Sequence, residues 1–133
     1  MDKLEYIPGD FISVYVGVKK YIVEVIGTEN ENEVLSYQIK FPNGEIQYAD
    51  KDNIVPIPLT PEILEKNGWK NDGYDWYKLP TKRAYLYITK DIITLGEFLV
   101  CVGLDRHNLA SINFVHQLQH ILFGLRLNSE MEM

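Results

Sequence analysis

Cysteine is nearly absent: Cys101 is the only one in 133 residues, so no disulfide can form within the chain. It lies in the apolar run Phe98-Leu99-Val100-Cys101-Val102, where a thiol behaves as a small buried hydrophobe. No neighbour in sequence is placed to make it a reactive thiolate. Long apolar runs are missing too, and none approaches the roughly 20 residues that a membrane span requires. The opening Met1-Asp2-Lys3-Leu4-Glu5 lacks the basic-then-apolar pattern of a secretion signal. An intracellular, cytoplasmic chain with no membrane contact is the expectation. Positive charge is in deficit, with 13 Lys and Arg against 19 Asp and Glu and a net charge of −6. Residues 1–60 carry ten acids and five bases, and residues 61–133 nine and eight. Neither half has the basic stripe that binding to a phosphate backbone needs, which argues against nucleic acid as a partner. No Gly-x-Ser-x-Gly motif, phosphate-cradling glycine loop or Cys-x-x-Cys pair occurs. Asp50 and Asp52 around Lys51, and Asp72 and Asp75 around Gly73, do not follow calcium-loop spacing and read as turn residues.

What the chain does have is a normal hydrophobic content of 46% and many aromatics: nine tyrosines, five phenylalanines and two tryptophans. Such residues suit pleated, half-buried surfaces. Alternation predicts strands over Asp10–Val18, Tyr21–Ile26 and Leu35–Phe41, then Glu45–Tyr48 after the turn Pro42-Asn43-Gly44-Glu45, with Asn53–Val55 as a short fifth. Gly27–Glu33 reads as a solvated loop tip. These features predict an α+β chain opening with an SH3-like five-stranded β-barrel over residues 1–55. Residues 56–133 then form a second subdomain, or complete one compact unit. Pro56-Ile57-Pro58-Leu59 is the expected linker. Thr60 can cap a short helix with Pro61 first, Glu62 in its first turn and Gly68 as terminator. A three-stranded antiparallel meander follows over Tyr74–Leu79, Arg83–Thr89 and Leu95–Leu104, and a C-terminal helix closes the chain over Asn113–Arg126.

That helix raises the main chemical question, because His116 and His120 stand four residues apart and share one helical face. A zinc hydrolase would carry glutamate after the first histidine, but Gln117 stands there and cannot act as a base. A non-catalytic metal site would need a third ligand from His107, Asp105 or Glu97. At 100° per residue from Phe114, an apolar stripe forms from Phe114, Val115, Leu118, Ile121, Leu122 and Leu125. The two histidines lie across from it, at about 200° and 240°, with Phe123 and Leu127 beside them. The expectation is therefore no cofactor and no catalytic centre: His116 holds a hydrogen bond or packs at a layer boundary, or else His116, His120, Phe123 and Leu127 form a second, interacting face. Its contact would be either the N-terminal barrel or another subunit. Asp105-Arg106-His107 has acid–base residue types, but three neighbours in a loop make no constellation. The aromatics Tyr74, Trp76, Tyr77, Tyr85 and Tyr87 fit either a stacking surface or an ordinary sheet-to-helix core.

The segments Ile57-Pro58-Leu59-Thr60-Pro61-Glu62-Ile63-Leu64, Gly68-Trp69 and Phe114-Val115-His116-Gln117-Leu118-Gln119 together resemble a family of small proteins. That family comes from gut Bacteroidetes and their phages or mobile elements. The resemblance spans roughly residues 56–127 and implies no activity. It does imply a structural or accessory role in a phage or mobile element. Those proteins usually carry asparagine at the position of His120. The expectations are thus a non-catalytic interaction module first, a mobile-element accessory protein second and a metal-dependent enzyme third. A protein partner or self-association goes with the first.

Overall fold

The structure, a computed structural model, describes residues 6–31, 34–71, 76–79, 86–90, 96–103 and 105–133. Two antiparallel sheets of five strands each make up most of it. Of the described residues 51% are strand and 17% helical, so the chain is mostly β rather than α+β. The first sheet contains β1 (Phe11–Val16), β2 (Lys19–Glu31), β3 (Val34–Lys40), β4 (Ile46–Asp50) and β5 (Ile54–Val55). The second contains β6 (Lys70–Asn71), β7 (Trp76–Leu79), β8 (Leu86–Lys90), β9 (Phe98–Val102) and β10 (His107–Ile112). Helices α1 (Pro61–Lys66) and α2 (Val115–Gly124) complete it. Among the described residues no helix is long and apolar enough to cross a membrane.

The first sheet runs β4-β3-β2-β1-β5 and does not close into the expected SH3-like barrel. Its two edge strands are not paired with each other, and β5 contributes only two residues, opposite Ser13 and Val14. Closure is decided by whether the edges meet, which strand alternation does not encode. The hairpin after β3 follows the turn chemistry: Gly44 has φ +90°, and Asn43 Oδ1 accepts from the Glu45 N–H at 2.9 Å. The expected loop over Gly27–Glu33 is largely strand, because the β2–β3 ladder continues to Glu31 opposite Val34. Ladder bonds are made by the backbone, so acidic side chains at a solvated strand end do not interrupt them.

The second sheet has five strands instead of three, in the order β10-β9-β8-β7-β6. The starts of all three expected meander strands, and Leu104 at the end of the third, lie outside the described residues. Helix α1 forms as its caps dictate. Thr60 Oγ1 accepts from the Ile63 N–H at 3.2 Å, and Pro61 takes the first helical position. The segment expected to be a linker is held down. Pro58 bridges Phe114, the Leu59 N–H donates to the Asn113 carbonyl, and the Val115 N–H donates to that of Ile57.

Two hydrophobic cores result. One gathers Ile12, Val14, Val23, Val25, Tyr37 and Ile39 of the first sheet with Tyr6. The other joins the second sheet to α1 and α2 through Leu64, Trp69, Ile88, Val100, Leu118 and Leu122. Phe11, from β1, packs against this second core.

Candidate functional site

No residue from Asn113 to Leu125 is charged, so α2 lacks the solvated face of an ordinary surface helix. Its start is held by Gln117, whose Oε1 accepts from the backbone N–H groups of Asn113 at 2.7 Å and Phe114 at 3.1 Å. This is the backward-reaching half of a capping box. The glutamine found where a hydrolase would need glutamate is thus a helix cap. The helix ends in a Schellman motif: Arg126 has φ +59°, and the N–H of Leu127 donates to the carbonyl of Leu122. Leu127 is the apolar residue that closes the motif, and it packs on the second core.

Between these ends α2 is buried on two sides. Val115, Leu118 and Leu122 face the second core, while His116 and Gln119 are buried on the side of β1. Gln119 bridges three backbone groups. Its Oε1 accepts from the Phe11 N–H at 2.9 Å, and its Nε2 donates to the Gly9 carbonyl at 2.8 Å and the Ser129 carbonyl at 3.1 Å. The partner strand β5 stops short of Phe11. The side-chain amide therefore stands in for the peptide group of a neighbouring strand and satisfies buried backbone.

Beside it, Asp10 is fully buried. Its Oδ2 accepts from the Ile7 N–H at 2.9 Å and lies 2.6 Å from His120 Nε2. A buried carboxylate needs such partners. His116, only 5% exposed, has the Tyr6 ring edge-on at 4.9 Å, Phe114 stacked at 6.0 Å and His120 at 5.5 Å. Its Nδ1 is buried without a hydrogen-bond partner. Burial pushes its pKa down to about 4, with the Asp10 charge opposing and His120 adding to the fall. At neutral pH it is an uncharged, largely aromatic filler.

The four residues expected on one docking face thus go separate ways. His116 is buried, His120 is half-buried on Asp10, Leu127 closes the helix, and Phe123 alone is largely open at 67% exposure. His116 and His120 touch Tyr6 and Asp10, in the segment that leads into β1. Asp10, Tyr6 and Gln119 were not marked by sequence reasoning; the charge-free run of α2 is the signal that points to them.

No three metal-ligating side chains gather among the described residues. His107 is on β10, 2.7 Å from Asp105 on an exposed turn, and is not brought to His116 and His120. An aspartate–histidine pair has the parts of an acid–base dyad. Well-formed cavities lie elsewhere, one of 430 Å³ against Phe11, Ile22, Lys40 and Phe41, another of 250 Å³ against Trp69, Leu79, Leu122 and Leu127.

The aromatic series divides by strand alternation. Tyr77 enters the second core, while Trp76 and Tyr87 share the outer face with centroids 6.2 Å apart. Arg106 lies 4.5 Å and 4.4 Å from these two rings, covering the platform a base or sugar would use. Tyr74 and Tyr85 are outside the described residues. Cys101, opposite Tyr87 on the same outer face, is buried, which pushes its thiol pKa up despite nearby Arg106, so it is not poised as a thiolate. Compared with known protein families, curated proteins and solved structures, the chain matches none.

Proposed function

We propose that the chain is a non-catalytic binding module that docks a protein partner through its first sheet. The supporting observation is where large apolar side chains remain exposed. Tyr15, Val16, Tyr21, Ile22, Val34, Ile46 and Tyr48 belong to that sheet, and Val18 is at the turn between β1 and β2. The remainder of the described chain adds only Leu109, Phe123 and Leu125. Scattered apolar residues are ordinary, but their concentration on one sheet is the usual mark of an interaction surface. Helix α2, the surface sequence reasoning favoured, has most of its area committed internally. A lone buried thiol suits a reducing, cytoplasmic setting.

The reading is tested by capturing partners from lysate of the source cells with wild type, a Tyr15→Glu/Tyr48→Glu double variant and Phe123→Glu. Loss of the same captured species with the double variant alone supports it. Loss with Phe123→Glu alone moves docking to the end of α2. Equal capture by all three overturns it.

A further inference from the structure

We infer that β4 receives an extended segment of a partner protein as an added strand, an inference that rests on the binding-module reading and specifies its contact. Among the described residues the two sheets have four edge strands, and three are blunted. β5 and β6 are two residues long, and β10 carries a register shift between Asn108 and Ala110. Short edges and bulges are the common defences against unwanted strand pairing. β4 has neither defence. Its five residues run in unbroken register against β3, from Ile46 opposite Lys40 to Asp50 opposite Ser36. It contains no proline and no lysine.

The hydrogen-bond phase shows which groups are on offer. The Phe41 N–H donates to the Glu45 carbonyl at 2.8 Å, so by antiparallel alternation Gln47 and Ala49 bond inward to β3. Ile46 and Tyr48 therefore direct their N–H and carbonyl groups away from the sheet, as Asp50 does its N–H. The Asp50 carbonyl instead caps the 3-10 turn Lys51–Asn53 that follows. Beside these groups lies an open groove of about 230 Å³ whose lining includes Val14, Ile39, Tyr15 and Tyr48 together with Gln47, Asp50 and Asn53, and is more polar than apolar. It lies where the sheet fails to close. Tyr15 of β1 extends past the pairing with β5, which stops at Val14. A strand laid on β4 would gain main-chain bonds from the edge and side-chain burial from the groove, which is how strand-addition sites combine affinity with specificity.

The occupant follows from charge and size. Among the described residues no basic side chain lines the groove, and the first 60 residues have a net charge of −5. The fitting segment alternates apolar and polar residues and carries a lysine or arginine to meet Asp50. A second copy fits less well. It would set the same acidic edge against itself, and five residues fall far below the roughly 20–30 per side of a stable interface.

The probe is a displayed library of random short peptides selected on the full chain, followed by amide exchange. The expected winners alternate apolar residues with a basic one, and they slow exchange at Ile46, Tyr48 and Asp50 at least tenfold. Tyr48→Pro removes an outward N–H at an edge position that tolerates proline, and should weaken binding at least tenfold while Tyr48→Phe does not. No enrichment, binding that survives Tyr48→Pro, or protection of those amides by raised protein concentration alone would each overturn the inference. Exchange on wild type decides the matter even where the proline variant folds poorly. If partner capture is lost with the glutamate double variant yet survives Tyr48→Pro, the binding-module reading stands and strand addition fails.

Discussion

His116 shows what a buried, unpaired imidazole does to a protein. In the unfolded chain it titrates near 6.5, and in the fold burial holds it near 4. The unfolded state therefore binds the proton more readily, so stability is full above about 6.5 and falls as pH drops toward 4. At about 1.4 kcal/mol per pKa unit, the loss across that window approaches about 3 kcal/mol. Urea unfolding at a series of pH values should show this slope in wild type and a flatter one in His116→Phe. Equal slopes would mean that His116 titrates normally in the fold. The helical count set the histidines opposite an apolar stripe, of which Val115, Leu118 and Leu122 enter the second core while Phe114 stacks on His116 and Leu125 is exposed. It could not show that the segment leading into β1 would cover them, because His120 and Asp10 are 110 positions apart and share no local pattern. The readable trace was negative, since a helix without charge from Asn113 to Leu125 has no side that prefers water.

Among elements, the two helices were legible because their ends are local chemistry, and both stop in the same way. In α1 the N–H of Trp69 donates to the Leu64 carbonyl and Gly68 takes the left-handed position at φ +88°. In α2 the matching groups are Leu127, Leu122 and Arg126, so a side chain occupies a conformation that glycine adopts without strain. Arg126→Gly should therefore stabilise the fold by roughly 0.5–1 kcal/mol, read as a higher urea midpoint at unchanged slope. A lower midpoint would show that the arginine side chain contributes more than the backbone loses. Strand β10 was not legible, and the bulge at its centre explains why. The shift between Asn108 and Ala110 breaks the two-residue period on which strand recognition depends. The open edge of the first sheet was hidden for another reason. Alternation reports the faces of a strand, whereas closure depends on whether two edges distant in sequence meet.

At the scale of the whole molecule, the two sheets have separate cores, and side-chain amides do much of the joining. Gln119 ties α2 to the backbone at Gly9 and Phe11 and to the C-terminal segment at Ser129. Asn67 repeats the device at the end of α1, donating to the Glu132 carbonyl at 2.9 Å and accepting from its N–H at 2.6 Å. Each amide offers a donor and an acceptor to a backbone that has no neighbouring strand. Phe11 and the Asp10–His120 contact add burial and charge to the same seam. This coupling predicts a single unfolding event. Both tryptophans, Trp69 and Trp76, belong to the second half, so their fluorescence follows that half alone. Amide signals of Val14 and Ile39 follow the first sheet. In wild type the two midpoints should coincide. Gln119→Leu strands the Phe11 N–H and the Gly9 and Ser129 carbonyls, at about 1–3 kcal/mol for each buried group left unpaired. The two transitions should then separate, with the first sheet melting earlier, because its core has no helix of its own. Separate midpoints in wild type would instead make the halves independent units, and the seam at α2 a contact rather than a coupling.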